Sequence, residues 1–90
     1  MGMKHASHPE IIAKLKQAQG QIGSIIAMMT EGRSCVDLAQ QLQAAESIIH
    51  LAKRTLIQDH MEHCIADAAS EGGKAAQAAM AEFKTLSKYL

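Results

Sequence analysis

The chain is predicted to be all-α, a three-helix subunit with a long central helix, and three observations on its 90 residues carry that prediction. Apolar residues recur at alternating steps of four and three along most of the length, the pattern of helices with one buried stripe. Aromatics are 2% of a chain that is 48% hydrophobic, so Ala, Leu, Ile, Met and Gln dominate and strand propensity is low. The clear breaks, Glu31-Gly32-Arg33 and Ser70-Glu71-Gly72-Gly73, divide the pattern into three.

Residues 1 to 6 read as a short mobile tail carrying Lys4 and His5. The first helix starts at Ser7-His8-Pro9-Glu10, where Ser7 can cap, Glu10 completes the capping box and Pro9 is tolerated in the first turn. Its stripe is Ile11, Leu15, Ala18, Ile22, Ile25 and Met29. Gly20 and Gly23 each weaken it by roughly 1 kcal/mol relative to Ala, so either a close helix crossing keeps them or they are simply tolerated. Gly32 suits the left-handed position after the last turn, and Ser34 caps the next helix.

The second helix runs from Cys35 to the mid-sixties and on toward Ala69, with no Gly or Pro inside it. Its stripe is Leu38, Leu42, Ala45, Ile49, Ala52 and Leu56. A third helix from about Lys74 carries Ala79, Phe83, Leu86 and Leu90 on one side, with Lys84 and Lys88 in solvent. The whole of 1–90 reads as a single domain, without internal repeat or linker. The core of so small a monomer is marginal, so assembly is expected on size alone.

Nine basic and nine acidic residues give a formal net charge of zero, so no global field advertises a nucleic-acid partner. DNA binding must then come from charge placed on one face. No apolar run has the length of a membrane span and the amino terminus lacks a signal-peptide core, which favours the cytoplasm. Two cysteines in that setting point to metal or redox chemistry rather than a structural bridge. No nucleophile and base pair with an oxyanion site can be assembled, so the chain is not expected to be an enzyme.

Candidate metal ligands stand at both ends of the second helix. Cys35 sits at its amino end, where unpaired backbone N–H groups favour a negatively charged sulfur, the form that binds metal. The plainer reading is a small buried hydrophobe. His60 and Cys64 are four apart and share a helical face, a set that suits copper(I), nickel(II), cobalt(II) or zinc(II). Alone this pair is a weak motif. The 25 positions from Cys35 to His60 span roughly 37 Å of helix, so one ion cannot join them within a straight helix. Two copies packed antiparallel about an axis near Ile48 and Ile49 would bring Cys35 of one to His60 and Cys64 of the other, giving two equivalent sites.

Of the remaining histidines, His63 is a competing candidate ligand beside Cys64 whose plainer reading is a solvated helix-end residue, His50 reads as structural, and His8 flanks the start of helix one. His5 is a candidate fourth ligand, its plain alternative being an unstructured tail residue. Lys14 and Lys16 on helix one and Lys53-Arg54 on helix two are candidate phosphate contacts, multiplied by assembly. Solvated helix surface is the ordinary alternative.

Lys14, Gly20-Gln21, Cys35, Gln40-Gln41, Arg54, and His60 with Cys64 together resemble the family of copper-sensing, nickel/cobalt-sensing and formaldehyde-sensing repressors, over nearly the whole chain. The resemblance implies an antiparallel dimer with metal bridging subunits, assembled into a dimer of dimers, that is, a homotetramer. It implies binding of double-stranded operator DNA in the apo state through Lys14 and Arg54, with Lys16 and Lys53 as neighbours, and release on binding nickel, cobalt or copper(I), zinc also being possible. An efflux or resistance gene would then be freed. The copper branch has a Tyr beside the first Cys and a Glu on helix three; the aligned positions here are Ser34 and Met80, with Glu82 nearby. Nickel/cobalt relatives add an amino-terminal His, which His5 would supply although Met3 aligns there. Gly2, where formaldehyde sensors have Pro, and His60, where sulfur sensors have Cys, argue against those branches.

The expectation is therefore a metal-responsive repressor using Cys35, His60, Cys64 and His5, with nickel or cobalt ahead of copper(I). The alternative is a thiol-based sensor of formaldehyde, reactive sulfur or oxidant acting through Cys35. A helical metal-storage module without a DNA role is the third.

Overall fold

The computed structural model describes residues 7–90, in which α1 (His8–Thr30), α2 (Cys35–Glu71) and α3 (Gly73–Leu86) follow in order, closed by a short 3-10 turn (Ser87–Tyr89). No strand occurs among the described residues. The three predicted helices are present with nearly the predicted ends, and α2 takes in the whole stretch to Glu71. The expected tail and His5 lie outside the described residues.

The breaks are set by backbone chemistry. Gly32 has φ +78, and its N–H donates to the Met29 carbonyl at 3.1 Å while the Arg33 N–H donates to that of Met28 at 3.0 Å. That pair of bonds satisfies the last carbonyls of α1 and demands a residue without Cβ strain in the left-handed region. Ser34 then caps α2 by accepting from the Asp37 N–H at 3.2 Å. At the second break Gly72 and Gly73 have φ +66 and +55, so two consecutive glycines allow a reversal that L side chains resist.

The fold consists of two compact units, and α2 contributes to both. Pro9–Ala52 is a helical hairpin joined by the four residues 31–34. Ile11, Ala18 and Ile25, seven apart, are buried with Ala45 and Ala52, also seven apart. Gln21 Nε2 reaches across the hairpin, donating to Gln41 Oε1 at 3.4 Å and to its backbone oxygen at 3.5 Å. Three of the six residues of the expected α1 stripe and two of the six on α2 are therefore buried, while Leu15, Ile22 and Met29 on α1 and Leu42, Ile49 and Leu56 on α2 stay exposed. The reason is geometric: steps of four and three straddle two neighbouring lines on a helix, and one partner helix covers only one. No close crossing explains Gly20 or Gly23, since a Cβ on either meets nothing within 4 Å.

The other unit holds, of its described residues, Ser7, His8 and Lys53–Leu90. Ile57 is buried in it, and Ala75, Ala79 and Leu86 form the half-buried line of α3.

Replacing Gly32 by Ala forces a Cβ into the left-handed region and is expected to lower unfolding free energy by roughly 1–2 kcal/mol. Gly32→Asn should cost visibly less, because Asn tolerates that region. Urea denaturation of the three proteins measures the order.

Candidate metal centre

The second unit brings together three ligand-bearing side chains. His60 and Cys64 lie one turn apart near the carboxy end of α2, both partly exposed. After the glycine reversal, α3 returns Glu82 to that turn. His60 Nε2 donates to Glu82 Oε1, and the Cys64 thiol donates to the same oxygen at 3.7 Å. One imidazole nitrogen, the Cys64 sulfur and one Glu82 oxygen all lie within 4.8 Å of one another, the only such group found among the described residues.

Glu82, and not Met80, is the α3 residue that meets His60 and Cys64. Met80 is 68% exposed and points elsewhere on the helix. The sequence carried a signal for this: Ala75, Ala79, Glu82 and Leu86 fall on one line of α3 by steps of four, three and four.

Electrostatics at the pair have a definite sign. Burial pushes the Cys64 thiol above its ordinary pKa, and the Glu82 charge and hydrogen bond, followed by the charge of Asp67, push the same way. Cys64 is thus held as the thiol in the metal-free protein. The bond to Glu82 fixes the orientation of the His60 ring.

Cys35 is exposed at the first residue of α2 and does not join this group. His63 is not a solvated helix-end residue as expected. Its Nδ1–H donates to the Asp59 backbone oxygen at 2.8 Å and lies 3.3 Å from Asp59 Oδ1. Asp59 Oδ2 in turn accepts from Ser7 Oγ at 2.7 Å, a contact between residues 52 apart that sequence spacing gave no means to foresee. His50 is exposed.

Among the basic residues, Lys14 is 26% exposed and pairs with Glu10 one turn back at 3.8 Å. Lys16, Lys53 and Arg54 are exposed, the last two adjacent on α2. No helix of the described residues is long and apolar enough to cross a membrane.

Comparison with known proteins shows the family. The sequence profile of the metal-sensitive transcriptional repressors matches residues 7–88. The chain is 32% identical over 69 residues to the copper-sensing transcriptional repressor RicR of Mycobacterium tuberculosis, covering 77% of this chain and 72% of that one. It is 34% identical over 73 residues to the copper-sensing transcriptional repressor CsoR of Bacillus subtilis, covering 78% and 72%. The structure of the nickel-responsive transcriptional regulator InrS superposes with a TM-score of 0.83 at 27% identity, over 99% of this chain and 98% of that one. A three-helix chain with a thiol, an imidazole and a carboxylate gathered at one turn of its long helix, matched over residues 7–88, belongs to the metal-sensitive transcriptional repressors, a family of regulators rather than enzymes.

Proposed function

We propose that this repressor holds operator DNA in its metal-free state and releases it when a transition-metal ion binds between two copies of the chain. The observation that carries the reading is the convergence of His60, Cys64 and Glu82 within 4.8 Å. His60 and Cys64 are the ligands from one copy, and Glu82 orients the imidazole and keeps the Cys64 proton in place until the thiolate is needed. Cys35 of a second copy completes the trio. Cys35 stands at the head of an uncovered line, with Leu42 and Ile49 at successive sevens behind it, 53% and 45% exposed, and a line of that kind supports coverage by another helix.

A bound ion supplies positive charge that favours thiolate over thiol at both sulfurs. Nickel(II) or cobalt(II) stands ahead of copper(I), because His5 would add a nitrogen donor to the Cys/His/Cys set and so favour a higher coordination number. Likeness to a nickel-responsive regulator over 99% of the chain supports that order, while the copper-sensing relatives support copper(I) as the second reading. Lys14, Lys16, Lys53 and Arg54 are the proposed phosphate contacts, repeated in each copy of a dimer of dimers. Metal must bind the weak-DNA conformation more tightly than the strong one, and DNA then weakens metal by the same factor.

Cys35→Ala is expected to retain apo binding to the DNA upstream of its own gene and to lose metal-induced release, as read by fluorescence anisotropy. Mixed dimers of Cys35→Ala with Cys64→Ala should regain one site from the two intact halves. Release by Cys35→Ala alone would show the assigned site to be wrong, and an adduct at Cys35 in mass spectrometry after formaldehyde or oxidant, with no response to metal, would favour covalent sensing.

Because the Cys64 proton must leave before sulfur can ligate, apparent metal affinity should rise with pH through the neutral range. Glu82→Gln removes one of the causes that hold the proton, so Cys64 alkylation in the metal-free protein should quicken at a given pH while Cys35 serves as the internal reference. An unchanged Cys64 rate would assign the raised pKa to burial alone.

A further inference from the structure

The contact that the repressor reading leaves unused is the carboxylate of Asp59. Its side chain is 14% exposed and is held from two sides: Ser7 Oγ donates to Oδ2 at 2.7 Å, and His63 Nδ1 lies 3.3 Å from Oδ1. A hydrogen bond to an ionised carboxylate in a sheltered position is among the stronger ones a protein makes. Its place in the chain gives it meaning. Asp59 immediately precedes His60, His63 immediately precedes Cys64, and Ser7 immediately precedes the first residue of α1, the helix that carries Lys14 and Lys16.

We propose that Asp59 is a positioning residue that relays the state of the His60 and Cys64 turn to the start of α1, through its hydrogen bond with Ser7. The relay rests on the metal-responsive reading above. When His60 and Cys64 turn toward a shared ion, residue 59 belongs to the same helical turn and moves with them. The Ser7 hydroxyl then either follows or lets go, and in both cases the entry of α1 differs between the two states. A helix is stiff over its 23 residues, so a change at its first turn re-aims the basic side chains farther along. The relay needs no wire through the core, since one bond that is differently made in the two states is enough to couple them.

The test uses the full chain and the DNA upstream of its own gene, with nickel(II), cobalt(II) and copper(I) each at saturation. Three quantities are measured for the parent, Ser7→Ala, Asp59→Asn and Ser7→Thr: metal affinity without DNA, DNA affinity without metal, and the ratio of DNA affinities without and with metal. Ser7→Ala and Asp59→Asn should leave the first two within about twofold and shrink the ratio by roughly tenfold, while Ser7→Thr, which keeps the hydroxyl, restores it. A parent ratio well above one that Ser7→Ala and Asp59→Asn share unchanged overturns the relay alone. Loss of metal-free DNA binding in those two variants also overturns it, because the bond then merely holds the fold. A parent ratio of one with every metal overturns the repressor reading and the relay with it.

Discussion

Helix geometry sets His60 and Cys64 one turn apart on α2, and a carboxylate that bonds to both has to reach them from another element. The return of α3 meets that constraint. Gly72 and Gly73, both with positive φ, reverse the chain so tightly that Glu82 arrives beside a turn it follows by only 18 to 22 residues. A side chain at either glycine would strain the reversal, and with it the placement of the carboxylate that orients His60 and raises the Cys64 pKa. The chemistry of the site thus depends on a backbone conformation ten residues from it.

The hairpin of Pro9–Ala52 meets a different constraint, the supply of apolar surface. Ile11, Ala18, Ile25, Ala45 and Ala52 are covered, yet Leu15, Ile22, Met29, Leu42 and Ile49 are not. A chain this short cannot bury two faces of each helix against itself. The uncovered line of α2 and the isolated Cys35 lie on the same helix, and under the proposed assembly a second copy of the chain would cover that line and add a second sulfur to the one Cys64 supplies. With a net charge of zero, affinity for phosphate has to reside in a few placed cations rather than in a global field.

Much of this was legible in the residues themselves. The three helices, their breaks at Gly32 and at Gly72-Gly73, the Ser34 cap and the His60 and Cys64 pairing follow from short-range rules, since periodicity, capping and left-handed glycine act over a turn or two. Glu82 was half legible. The sequence places it near Met80 but off the expected stripe of Ala79, Phe83, Leu86 and Leu90, of which Phe83 and Leu90 are exposed, and spacing within α3 says nothing about which turn of α2 the helix returns to. The stripes were legible as apolar and illegible as buried, because a four and three pattern does not say which of two adjacent lines a neighbour covers.

By itself the sequence determined the local order: where helices start and stop, which residues share a face, and that a soft or borderline cation would find sulfur and imidazole one turn apart. Only the tertiary structure decided that Glu82 closes on that pair, that Asp59 is gripped by Ser7 and His63, and that half of each apolar stripe stays in the open. The division has a physical cause. Helix periodicity and capping are properties of neighbouring residues, whereas a contact across 22 or 52 positions is set by how tightly a turn reverses and how two helices lie, which no local pattern encodes.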